Sequence, residues 1–137
     1  MASGPMQAPV QSAKIYRFYL TDGAVAAGGQ PALTQSFASD DLFYVSNGVI
    51  KCRYEGTIQI ATHIIGSTSN NSSNRLWAEI KGGNTNPQLL KYGNYASADN
   101  VQIAQVNTST EIYVKFTEAF TLGGGSTGKS YIFITIL

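Results

Sequence analysis

A chain of 137 residues is one domain by length, and at that size folding buries about two-thirds of the surface exposed by the unfolded chain. Charged residues make up only 12%, and nine Lys and Arg against eight Asp and Glu leave a net charge of +1, which excludes a global attraction to phosphate backbones. The single cysteine, Cys52, excludes an internal disulfide and a cysteine-based metal site within one chain.

Neither nucleic acid nor membrane is therefore an expected partner, since no run of about 18 apolar residues exists either. The surface left over is rich in Ser, Thr, Asn, Gln and Gly, which suits an extracellular or virion protein, or a protomer whose faces are covered by partners. Met1 to Ala13, MASGPMQAPVQSA, has neither a basic nor an apolar leader region, so no cleaved secretion signal is expected. With Pro5 and Pro9 among small residues it reads as an extended arm and a candidate anchor, leaving 14–137 as a single domain.

KIYRFYLT, Lys14 to Thr21, alternates Tyr16, Phe18 and Leu20 against Ile15, Arg17 and Tyr19 and predicts the first strand. Asp22 to Asp41 is a looser connection with a short strand near Ala32 to Phe37 and no assigned role. Leu42 to Gly66 organises the chain. Asn47-Gly48 supplies the positive φ angles of a tight hairpin turn, so Leu42 to Ser46 pairs with Val49 to Tyr54. Ile50, Cys52 and Tyr54 take the buried side and Lys51 and Arg53 the wet one. After Gly56, a second strand places Ile58, Ile60, Thr62 and Ile64 on one face.

GSTSNNSSN then predicts a polar surface loop, and RLWAEIK alternates Leu76, Ala78 and Ile80 against Trp77, Glu79 and Lys81. Gly82-Gly83 turns the chain back toward QLLKYGNY, a strand spans Val101 to Val106, and Asn107 to Thr110 turns again. EIYVKFT sets Ile112, Val114 and Phe116 against Tyr113, Lys115 and Thr117. The final SYIFITIL is apolar on both faces, and because a two-layer sandwich buries only one face of each sheet, its other face calls for a second subunit. No helical period is sustained, and strands recur every 8 to 15 residues, the spacing of a sandwich or jelly roll.

No catalytic constellation emerges, so no enzyme and no cofactor is expected. Gly123 to Ser130, GGGSTGKS, matches the phosphate-binding loop pattern letter for letter. That loop works in front of a helix N-terminus, and here a β-rich segment follows, so it is read as a plain connection. His63, the one histidine, is read as a packed or interface residue, with a metal shared between subunits as the rarer use; Asp40-Asp41 is read as a solvated pair rather than a calcium site. Trp77 with Ser69, Asn70 and Asn71 forms the candidate contact for a glycan or another partner.

The run LFYVSNGVIKCRYEGTIQIATHI resembles the segment of complement C1q-like and tumour necrosis factor-like jelly rolls in which a short hairpin leads through a Gly into a core strand. RLWAEIKGGN resembles that family's strand ending in an Asn/Gly turn, VQIAQVNTSTEIYVKF its paired strands across a tight turn, and SYIFITIL its apolar last strand. Ile58 departs from the pattern, where an aromatic is usual. The resemblance implies an all-β, antiparallel two-sheet jelly-roll sandwich, assembled as a homotrimer. It places Ile112, Val114, Phe116, Ile132, Ile134 and Ile136 in the core and turns Tyr113, Lys115, Tyr131, Phe133 and Thr135 toward neighbouring subunits.

Small chains of this kind with a short arm and a neutral polar surface resemble bacteriophage virion proteins. The expected role is a capsid decoration or head-fibre protein on the capsid surface, partnered by itself and by the major capsid protein or another virion protein. The alternatives are a receptor-binding tip recognising host surface glycans and a carbohydrate-binding module.

Overall fold

The computed structural model describes residues 13–68, 76–123 and 129–137. Among the described residues twelve strands run in the order β1 (Ile15–Leu20), β2 (Gly23–Val25), β3 (Leu33–Ala38), β4 (Phe43–Ser46), β5 (Val49–Cys52), β6 (Gly56–Ser67), β7 (Ala78–Lys81), β8 (Leu90–Tyr92), β9 (Tyr95–Val106), β10 (Glu111–Phe116), β11 (Phe120–Leu122) and β12 (Tyr131–Ile136). All pairings are antiparallel. One sheet has eight strands, with β2-β11-β6-β12-β1-β3 as its main path and β9 and β8 added beyond β6; the other has the order β4-β5-β10-β7. The two face each other over a core that includes Tyr16, Phe18, Phe43, Ile50, Ile58, Ile60, Phe116 and Ile134. The expected two-sheet jelly-roll sandwich is the observed architecture.

The predicted hairpin is present. Asn47 and Gly48 take φ of 53° and 78°, and Ser46 lies opposite Val49. Ile50 and Cys52 are buried, and Ile58, Ile60, Thr62 and Ile64 fill one side of β6 as the alternation requires. β6 is the spine of the larger sheet. One of its edges pairs with β9 over all twelve residues, while the other pairs first with β12 and then with β11. At the break Ser130 closes the gap, its Oγ accepting the Ile65 N–H at 2.9 Å and donating to the Ile65 carbonyl at 3.2 Å. Gly66 is required where β11 crosses, because a Cβ there would stand 2.1 Å from the Thr121 carbonyl oxygen.

The strands on either side of Asn107 to Thr110 are not a pair, contrary to the expectation. β9 pairs with β6 and β8 in one sheet, and β10 pairs with β5 and β7 in the other. The burial pattern gives the reason. In a hairpin with a four-residue turn Val106 would oppose Glu111, setting the core face of one strand against the wet face of the other. Ala104 and Val106 meet the core together with Ile112 and Val114 only if the chain passes from one sheet to the other. The segment 107–110 makes that crossing, tied by Ser109 N–H to Asn107 Oδ1 at 2.8 Å and Thr110 N–H to the Asn107 carbonyl at 3.0 Å.

Ile112, Val114, Phe116, Ile132 and Ile134 are core residues, as the resemblance implied. Ile136 is only partly buried and packs against the core from its edge. Strands β2, β8 and β11 and the first half of β9 were not anticipated.

Candidate functional site

Alternation gives each sheet an outward face, and the two faces differ in chemistry. Outward from β4-β5-β10-β7 point Tyr44, Lys51, Arg53, Glu79, Lys81, Glu111, Tyr113 and Lys115. Lys51 pairs with Glu111, Lys81 Nζ lies 3.8 Å from Glu79 Oε2, and the Arg53 guanidinium sits 3.9 Å over the Tyr44 ring. This is a solvated, charged surface whose ions are paired in part.

The outward face of the larger sheet is apolar. Ladder register arranges it in rows that cross the strands. Phe37, Arg17, Phe133, Ala61 and Val101 form one row over β3, β1, β12, β6 and β9. Tyr19, Tyr131, His63 and Asp99 form a second, and Ile15, Thr135, Gln59 and Ile103 a third. The Tyr131 and Phe133 rings stack at 3.9 Å, and His63 stacks on Tyr131 at 5.4 Å. Tyr19 meets Phe133 edge-on at 6.2 Å. Arg17 holds its guanidinium 5.3 Å from the Phe133 centroid and 5.7 Å from that of Phe37. His63 Nδ1 lies 2.7 Å from Asp99 Oδ1.

Val101 is 66% exposed, Ile103 51% and Phe37 46%. Leu90, Tyr92 and Tyr95 extend the same face toward the far end of β9, since Leu90 pairs with Ser97 and Tyr92 with Tyr95. Of the large apolar residues exposed among those described, only Trp77 belongs to the other face; Leu137 follows β12 with the parity of Phe133 and Thr135. Scattered exposed hydrophobics are ordinary in monomers, whereas concentration on one face is the pattern that interaction surfaces show.

The predicted interface residues are thus divided. Tyr131, Phe133 and Thr135 lie together on the apolar face, but Tyr113 and Lys115 sit opposite Lys81 and Glu79 on the solvated face of the other sheet. Trp77 is 39% exposed just before β7, with its backbone N–H donating to Thr117 Oγ1 at 2.8 Å. Ser69, Asn70 and Asn71 lie outside the described residues. Arg17, Phe37, Val101 and Ile103 were missed as surface residues. The signal was in VQIAQV, where the residues facing away from the core are as apolar as those facing it.

Of the Gly123 to Ser130 motif, residues 124–128 lie outside the described residues; Ser130, just before β12, is spent on the Ile65 backbone. Asp40 accepts from Tyr16 and from the Leu42 N–H and pairs with Lys14, so its oxygens serve the fold. Among the described residues no group of three or more His, Cys, Asp and Glu could hold a metal. Cys52 is buried and donates to the Tyr54 carbonyl at 3.0 Å; burial pushes its thiol above the ordinary range.

No protein-family model matches the chain, and no curated protein sequence matches it. Solved structures do. Murine APRIL at pH 8.0 aligns with a TM-score of 0.66 over 92% of this chain and 100% of the APRIL chain, at 10% identity. Murine APRIL at pH 8.5 and at pH 5.0 gives the same TM-score at 9% identity over 91% and 92% of this chain. The fold is a tumour necrosis factor-like jelly roll. At such identity the likeness carries the fold and no activity. The TNF-like sandwich is built here with a charged face on one sheet and an apolar face on the other.

Proposed function

We propose that this TNF-like jelly roll is a non-enzymatic virion structural protein, a homotrimeric capsid decoration or head-fibre protein docked through residues 1–13. The observation that carries self-association is the apolar outward face of the larger sheet. Phe37 and Val101 mark its two ends, four strand spacings or about 19 Å apart. A ring of identical subunits joins two different patches at every contact, which a face with two distinct exposed ends supports. Tyr131, Phe133 and Thr135 belong to this interface in the proposal, and Tyr113 and Lys115 do not.

Residues 1–12 lie outside the described residues, and the anchoring role is argued from where the described chain begins. Lys14 leads into β1 beside the C-terminal end of β12, with Ile136 N–H on the Lys14 carbonyl at 3.0 Å. The C-terminal end of β1, where the Leu20 N–H meets the Ser130 carbonyl at 2.9 Å, lies at the opposite end of that strand pair, away from where an anchoring arm would leave.

The test is immunogold labelling of the virus particles that encode the chain. Labelling over the head surface is expected, and its loss on deletion of residues 1–13 shows that the arm is the anchor. Absence of the chain from particles contradicts the virion role. A second reading, a receptor-binding tip, is favoured by Trp77, because its face stays open when the other sheet assembles. Label confined to fibre tips, with glycan-array binding lost in Trp77→Ala, would select it.

A further inference from the structure

The apolar face contains two charged groups whose arrangement says how one copy meets the next. Arg17 is exposed between Phe37 and Phe133, and no carboxylate among the described residues pairs with it. It is the only cationic residue in the sequences of β3, β1 and β12. Asp99 is the only carboxylate of β9; its side chain is 76% exposed, and His63 engages Oδ1 alone.

We propose that in the assembled protein Asp99 of one copy pairs with Arg17 of the next. The inference rests on the self-association reading above and adds the register of the contact. The β9 end of the face offers Asp99 beside Val101 and Ile103, one acid and two aliphatic side chains. The β3-β1-β12 end offers Arg17 between Phe37 and Phe133, one base and two aromatic rings. Each is the chemical complement of the other, and a heterologous contact brings unlike ends together. The spacings also agree. Asp99 and Val101 are about 6.8 Å apart along β9, and Arg17 is one strand, about 4.8 Å, from each aromatic. Val101 seated on the rings therefore brings the carboxylate within reach of an arginine side chain. The two rings also hold the guanidinium in place, so little freedom is lost when Oδ2 receives it.

Lys129, which lines a cavity with Tyr19 and Thr34, is another cation near this end of the face, and a charge exchange decides whether Arg17 is the partner. The full chain, Arg17→Glu, Asp99→Lys and the double variant are compared by sedimentation across a concentration series, with circular dichroism to confirm folding. The milder Arg17→Gln and Asp99→Asn keep the measurement interpretable if a reversal impairs folding. Each single reversal is expected to weaken association at least about tenfold, and the double variant to recover most of it. Singles that assemble as tightly as the parent, or a double variant no better than the singles, overturn the pairing while leaving the assembly face standing. A parent chain that is monomeric throughout overturns both.

Discussion

Tyr16, wholly inside the core, donates its hydroxyl to Asp40, which also accepts the Leu42 N–H at 3.0 Å and pairs with Lys14 Nζ at 3.0 Å. The network ties the entry of β1 to the turn before β4. Burial, then the Asp40 hydrogen bond, pushes the Tyr16 phenol far above its ordinary range; the same hydrogen bond, foremost, holds Asp40 below the usual carboxylate range. A carboxyl depressed in the folded state contributes stability above about pH 4, and that contribution is lost as pH falls through the folded value. A phenol raised in the folded state contributes below about pH 10 and loses that contribution as pH rises. Tyr16→Phe should cost about 1–2 kcal/mol near neutral pH and flatten both limbs, measured by urea melts from pH 2 to 11. Unchanged acid and alkaline limbs would contradict the assignment.

Gly66→Ala should destabilise the fold by about 1–3 kcal/mol, because the added methyl meets the Thr121 carbonyl oxygen and the Phe120 ring, and backbone cannot give way as a flexible side chain would. Gly48→Ala should cost about 1 kcal/mol by another route. Its Cβ has ordinary contact distance to Gln30 Nε2, at 3.4 Å, so the cost lies in the φ of +78°. Thermal melts of both variants check the order of the two effects.

The two outward faces should respond differently to the same insult. Val101→Asp should shift the protein toward monomer while leaving chain stability within about 0.5 kcal/mol, since the side chain is 66% exposed. Tyr113→Asp, on the solvated sheet, should leave the assembly intact. Light scattering of both variants distinguishes an interface on the larger sheet from one that includes β10.

Cys52 should resist thiol reagents in the native protein and react at the rate of global unfolding, because burial both shields it and disfavours the thiolate. Labelling with a chromogenic disulfide in rising urea measures this. Fast labelling at zero urea would place the β5 face outside the core.

Much of the fold was legible because burial on one side leaves period-two alternation in the sequence. Tyr16, Phe18 and Leu20, Ile58 to Ile64, and Ile112 to Phe116 each declared a strand and its inner face, and Asn47-Gly48 declared a turn. The first half of β9 was hidden because Ala96, Ala98 and Asn100 are small or polar on the inward side. Gln102, also inward, is spent on the 84–85 backbone, accepting from Asn84 and Thr85 and donating to the Thr85 carbonyl. Alternation tells which side of a strand is inward but not which sheet the strand joins. That is why Tyr113 and Tyr131, alike in parity, were grouped although the fold sets them on opposite faces. The parity of Val106 and Ile112 across Asn107 to Thr110 contained the crossing, and only pairing partners made it visible.

Solution mass of the full chain by light scattering, at micromolar concentration and with chelator present, tests the central claim most directly. The account predicts three times the 14.6 kDa chain mass. A stable species of 14.6 kDa across that range would contradict it, leaving the apolar face of the larger sheet without the partner assigned to it.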